Sequence, residues 1–152
     1  MKKITLSPTV LFLVTFTVGM VLTYLLPWQL TRYFDHKVIP VLGLAFLCIS
    51  FIVNFLAYRM FRKHSISHAP FSTPAELIDN GIFAFSRNPV YLALVLSHCG
   101  LGFIFDTLWL IFTSVALLVA LHYLVVLDEE CLLQRGFKEK YERYKECTRR
   151  WI

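Results

Sequence analysis

A chain of 152 residues is enough for one ordinary domain, yet 57% of it is hydrophobic and 16% charged, against about 45–50% and about 25% in soluble domains. With a mean hydropathy of +0.62, a body this small cannot hide so much apolar surface within itself, so a freely soluble domain is excluded and lipid has to be part of the solvent. The net charge of +5 points to anionic headgroups at one membrane face rather than to nucleic acid.

Four apolar stretches follow in chain order: Thr9–Leu26, Val38–Met60, Pro89–Phe105 and Thr107–Leu127. A span needs about 20 residues, with a lower limit near 17, so all four qualify and the third only just. Runs such as Leu117–Leu118–Val119–Ala120–Leu121 do not alternate with polar residues, which excludes a barrel and leaves helix. Met1-Lys2-Lys3 before the first stretch has the look of a secretory signal. That stretch is long for one and ends in Tyr24-Leu25-Leu26-Pro27-Trp28 with no small-residue cleavage pattern, so it reads as a true span. Trp28 and Tyr33 then lie at the interface, where aromatic residues collect.

The basic residues set the orientation. Lys2 and Lys3, then Arg59, Arg62, Lys63 and Arg87, then the seven of the tail fall on one side of a four-span path. Only Arg32 and Lys37 fall on the other. The positive-inside rule therefore puts both termini in the cytoplasm. The expected architecture is all-α: one membrane domain over residues 1–152, a polytopic transmembrane bundle of four spans with a cytoplasmic C-terminal helix. The membrane expected is a bacterial-type inner membrane. Two substantial pieces face the cytoplasm, the connection His64–Ser86 and the tail from Asp128, and chemistry is expected where they meet. The tail reads as a helix continuing out of the fourth span. Glu139, Lys140, Glu142, Arg143, Lys145 and Glu146 give it a mixed-charge face, and Gly136 is expected to bend or interrupt it.

Ser86-Arg87-Asn88-Pro89-Val90-Tyr91 opens the third span. Asn before Pro is a good helix start, and Arg87 beside it can simply snorkel. The same free N–H groups, with Arg87, can also form an anion site. Asp128-Glu129-Glu130, where the fourth span ends, opposes the macrodipole and needs compensation. It is either a solvated patch paired with the basic tail or a site for a cationic ligand. His122 lies seven residues before Glu129, which in an α-helix puts both on one face. His98 and Asn54, inside spans, are read as helix-linking polar groups or functional residues; His64 and His68 read as solvated loop residues. The four cysteines (Cys48, Cys99, Cys131, Cys147) have no metal-ligand or paired spacing, so no metal site is expected. There is no glycine-rich dinucleotide fingerprint, no P-loop and no hydrolase arrangement.

One resemblance joins these pieces. Leu77-Ile78-Asp79-Asn80-Gly81-Ile82-Phe83, Arg87-Asn88-Pro89-Val90-Tyr91, an apolar hairpin, Glu129-Glu130-Cys131-Leu132-Leu133, then Phe137, Tyr141, Tyr144 and Arg150-Trp151-Ile152 follow in order. Over roughly residues 70–152 this resembles the isoprenylcysteine carboxyl methyltransferase family and the related phospholipid methyltransferases. The resemblance implies S-adenosyl-L-methionine as cofactor, bound by the Arg-His-Pro-x-Tyr-x-Gly element and the Glu pair. Carried over, Arg87, Asn88, Pro89 and Tyr91 line the cofactor site with Leu77 and Phe83, and Glu129 faces the cofactor. A helix start suits its carboxylate and Glu129 its ammonium.

The implied reaction is methyl transfer by direct displacement to a lipophilic carboxylate, thiol or amine acceptor that enters from the bilayer. His122 or Glu130 is the base where one is needed. Asn88 replaces the family's His, Ala93 its Gly, and Phe137-Lys138 its Phe-Gly. Val125 stands where the eukaryotic prenylcysteine enzymes place an Arg. A sterol-reductase-like membrane enzyme, a non-catalytic membrane partner or a small transporter are the other readings. Oligomeric state is not legible.

Overall fold

The structure, a computed structural model, describes residues 7–64 and 76–152. Every regular element among them is helical: α1 (Pro8–Leu25), α2 (Val38–Lys63), α3 (Pro89–Ile104), α4 (Leu108–Leu121), α5 (Leu127–Phe137) and α6 (Glu139–Cys147). A five-residue π turn, His122–Val126, joins α4 to α5, so residues Leu108–Phe137 form one long helix. The tail does continue out of the last apolar stretch as helix.

Three helices are long and apolar enough to cross a bilayer: α1, α2 and Leu108–Phe137. Their outer faces carry Leu13, Val14, Val18 and Val21 on α1, and Val41, Leu44, Phe51 and Ile52 on α2, all exposed. In water that surface would aggregate; in lipid it is the required exterior. The chain is an integral, multi-pass membrane protein. α3 has 16 residues and reaches about 24 Å at 1.5 Å per residue, short of the roughly 30 Å hydrocarbon core. It is also the innermost helix: α2 packs along one side of it, α4 along another, and α1 covers α4 and touches α3.

A backbone contact fits α2 to α3. A Cβ added at Gly43 would stand 3.0 Å from the Gly100 carbonyl oxygen, and one at Gly100 would stand 3.1 Å from that of Gly43. Small residues facing each other are how helices approach closely in lipid, where no hydrophobic effect drives them together. Lower on the same face Ser50 Oγ donates to the Ala93 carbonyl at 2.7 Å. His98 is fully buried, its Nε2 3.3 Å from Thr15 Oγ1 and its ring edge-on to Phe12 and Phe16, so it links α3 to α1. Asn54 stands exposed on α2.

The two ends of the bundle differ. At one end Asp106 accepts from the Thr31 N–H and hydroxyl (2.8 and 2.7 Å), and the Trp109 indole donates to Leu26 O at 2.7 Å. The connection after α1 is thereby fixed beside the α3–α4 turn, with Trp28 Nε1 donating to Tyr33 Oη. The other end gathers residues 76–88, α5, α6 and a C-terminal strap, residues 148–152.

Two expectations need correcting here. The break in the tail falls at Lys138, with φ 45° and ψ −115°, while Gly136 stays inside α5. A sharp reversal is needed there because Phe137 and Leu133 on α5 and Tyr141 and Tyr144 on α6 close into one cluster with Leu77. Positive φ is a conformation that favours glycine, and here a lysine adopts it. His64 is not a solvated residue. Its side chain is only 14% exposed and its Nδ1 lies 2.8 Å from Glu76 Oε2, a contact that lowers the Glu76 pKa. His68 lies outside the described residues. The four cysteines are free, and no group of metal ligands occurs among the described residues.

Candidate functional site

Pro89 opens α3 at the first helical position, as its fixed φ and missing N–H favour. Asn88 occupies the N-cap position but does not cap. Its Nδ2 donates to the Arg150 carbonyl at 3.2 Å. Its neighbours make the same connection: Ser86 Oγ accepts from the Asn88 N–H and donates to the Arg150 carbonyl, and the Arg87 N–H donates to the Arg149 carbonyl at 3.1 Å. Three consecutive residues are therefore held by the C-terminal strap, and the helix start is left without a side-chain cap.

The acidic run is neither bare nor merely solvated. Glu129 Oε1 accepts from the Tyr91 hydroxyl at 2.7 Å. Glu130 accepts two bonds from Arg150, from Nε at 2.9 Å and Nη2 at 2.7 Å, in the fork geometry that suits a carboxylate. Arg87 Nη1 lies 3.4 Å from the same carboxylate and donates to Tyr141 Oη at 3.4 Å. The side chains of Arg87 and Glu130 are only 10% and 12% exposed. Burial, reinforced by the Glu130 charge, pushes the Tyr141 pKa up to about 12, so its hydroxyl stays neutral. Two guanidinium groups thus share one carboxylate beside the uncapped start of α3. Among the described residues Arg87 Nε is buried with no hydrogen-bond partner.

The neighbouring acids diverge because successive helix positions point about 100° apart. The π turn changes the rest of the register. The Leu127 N–H donates to the His122 carbonyl, five residues back, so one extra residue is accommodated before α5. His122 and Glu129 therefore do not share a face, as an unbroken α-helix would require; Glu130 takes that alignment instead. The His122 ring lies 6.4 Å from that of Trp151, next to Arg150, and its buried Nδ1 has no hydrogen-bond partner among the described residues.

Leu77 and Phe83 are buried against protein. Leu77 packs with Tyr141 and Tyr144, and Phe83 with Ala57 and Ile78, while the Tyr144 hydroxyl donates to the Phe83 carbonyl at 2.6 Å. They anchor the connection rather than present side chains to open space. A surface cleft of about 560 Å³ between that connection and α6 is lined by Asp79, Ala84, Glu139, Lys140, Arg143, Tyr144, Cys147 and Thr148. None of the residues expected to form the site lines it. Arg87, Asn88, Pro89, Tyr91, Glu129 and Glu130 do come together at one end of the bundle. Sequence reasoning assigned no role to Ser86, Tyr141 or Arg150. The only signal for the last two was their place in the motif order.

The fold has a solved counterpart. A eukaryotic intramembrane Ras methyltransferase (isoprenylcysteine carboxyl methyltransferase) superposes with a TM-score of 0.63 at 19% identity, over 95% of this chain and 51% of that one. The chain thus spans about half the length of that protein. No curated protein matches it. Residues 38–140 match the phospholipid methyltransferase family. With two thirds of its length covered, this chain belongs to the phospholipid methyltransferase family.

Proposed function

We propose that this protein is an integral membrane methyltransferase that uses S-adenosyl-L-methionine to methylate a lipophilic acceptor. The observation that carries the reading is a juxtaposition of opposite demands. An uncapped helix start beside Arg87, which shares its carboxylate with a second arginine, suits an anion, and the carboxylate of Glu129, held by Tyr91, suits a cation. The amino-acid end of S-adenosylmethionine offers both. When bound, that cofactor supplies an electrophilic methyl group on sulfur. The first turn of α3 and Arg87 would hold its carboxylate, with Asn88 and Pro89 shaping that turn, and Glu129 would hold its ammonium. Leu77 and Phe83 would act from behind, by fixing the connection that leads into α3.

Of the two candidate bases, Glu130 has both oxygens engaged by Arg150, so its role here is to position the arginines. His122, whose Nδ1 has no hydrogen-bond partner among the described residues, is the group left to accept a proton from a thiol or amine acceptor; a carboxylate acceptor needs no base. The acceptor enters sideways from the bilayer, and Val125, an apolar buried residue, argues against recognition of a prenylcysteine carboxylate by an arginine at that position.

The same reading carries a topology of four spans with both termini cytoplasmic. The basic-residue asymmetry supports it, as does the pairing of the first connection with the α3–α4 turn at one end. Reporter fusions at the two ends should both signal cytoplasm; an external C-terminus would sink the assignment.

The decisive measurement is methyl transfer to prenylated thiols, phosphatidylethanolamine and small thiols, run on wild type and two variants. Val90 packs on the Ala57–Ile78–Phe83 cluster and Tyr91 on the Leu11–Leu117–Leu121–Val125 cluster, so each alanine substitution loses packing. Only Tyr91→Ala should also weaken cofactor affinity, roughly tenfold for one hydrogen bond to a charged group. Equal, small effects on affinity would reduce the segment to a helix start.

A further inference from the structure

The strap and the two acids close a ring of hydrogen bonds around the start of α3. From the 86–88 turn, Ser86, Arg87 and Asn88 donate to the carbonyls of Arg149 and Arg150. From the strap, the Arg150 guanidinium reaches across to Glu130 on α5 with two bonds. The adjacent residue on α5, Glu129, returns to α3 through the Tyr91 hydroxyl. Thr148 adds a further bond to the Ala84 carbonyl. The two groups assigned above to opposite ends of one ligand, the helix start and Glu129, lie on different elements. Besides helix packing, they are linked directly by Tyr91 to Glu129 and by Arg87 to Glu130 at 3.4 Å, and through the strap by the two shorter Arg150–Glu130 bonds.

We propose that Arg150 is a positioning residue of the cofactor site: by joining the strap to Glu130 it fixes the 86–88 turn, which the strap carbonyls hold, against the helix that carries Glu129. The role rests on the cofactor reading given above. Arg150 is 34% exposed and points its fork into the protein, at Glu130. Its chemistry is specific to the task. A planar guanidinium engages both carboxylate oxygens at once and fixes the angle between strap and helix. A lysine ammonium reaches one oxygen and leaves that angle free.

The test uses the full chain in lipid nanodiscs, with S-adenosylhomocysteine as probe. Calorimetric affinity and amide exchange over residues 86–92 are measured well below each variant's melting temperature. Arg150→Met should weaken binding at least roughly tenfold, as loss of a charge-assisted pair implies, and should speed exchange at 86–92 without ligand. Arg150→Lys should recover part of the affinity. Glu130→Gln with Arg150→Met should bind no more weakly than the weaker single variant, because both break the same link. If Arg150→Met does not purify folded, Arg150→Gln and Arg150→Lys carry the same comparison. A folded Arg150→Met protein whose affinity stays within about twofold of wild type, or additive losses in the double variant, would overturn the role. Wild type that takes up no S-adenosylhomocysteine would overturn the cofactor reading and this role with it. Normal wild-type binding with an unchanged Arg150→Met would overturn this role alone.

Discussion

Glu129→Gln is expected to weaken S-adenosylhomocysteine binding by roughly 10- to 150-fold, about 1.5–3 kcal/mol, while the melting temperature stays near that of wild type. The substitution removes a charge and almost no volume. The glutamine oxygen can still accept the Tyr91 hydroxyl, so the α3–α5 contact survives and the loss reports on the ligand. The next residue supplies the contrast. Glu130→Gln is chemically the same change, but it leaves Arg87 and Arg150 facing each other without a counter-charge in a nearly buried setting. Breaking a buried pair costs about 3–5 kcal/mol, with the lower end apt here because Arg150 is a third exposed. Glu129→Gln should therefore register in affinity with stability kept, and Glu130→Gln in stability as well as in affinity. An unchanged affinity in folded Glu129→Gln would leave that carboxylate as no more than a partner for Tyr91.

The apolar framework was legible because lipid imposes it. A spanning helix must be long, apolar and uninterrupted, and α1, α2 and the start of the last long helix are read from those requirements within a few residues, while that helix runs on past Leu127 to Phe137. The borderline third stretch proved to be the short central helix, which is covered by its neighbours. What the sequence hid has particular causes. The π turn has no residue signature in His122–Val126, so the seven-residue spacing to Glu129 suggested a shared face that the extra residue removes. Asn88 has the right identity for a cap, but its amide makes a tertiary bond to a residue 62 positions away, which local pattern cannot reveal. The compensation for Asp128-Glu129-Glu130 was anticipated in kind but not in detail. Glu129 is matched by Tyr91 from within α3, and Glu130 by Arg87 from before it and Arg150 from the strap, and only the fold brings those together.

The site also depends on a contact far from any charge, and Gly100→Leu should show it. On α3 a Cβ at position 100 would already lie 3.1 Å from Gly43 O, Leu47 Cγ and Phe46 Cβ, three neighbours on α2 of which one is backbone. An alanine there needs shifts of a few tenths of an ångström and should cost about 1 kcal/mol, the low end of overpacking penalties. A leucine cannot be placed without driving α2 off α3, at about 3 kcal/mol or more. That separation would strain the Ser50–Ala93 bond and loosen Ala57 from Ile78 and Phe83, the cluster that seats the connection leading into Arg87 and Asn88. Gly100→Leu is thus expected to lose both thermal stability and cofactor affinity, whereas Gly100→Ala keeps its affinity and loses a little stability. Gly43→Ala combined with Gly100→Ala should cost more than the sum of the two, since both methyl groups claim the space between the same two carbonyls. Thermal melts of wild type and the four variants in one detergent decide the matter, and additive, small losses would mean that α2 and α3 have room to spare and that close backbone approach is not what holds α3 in place.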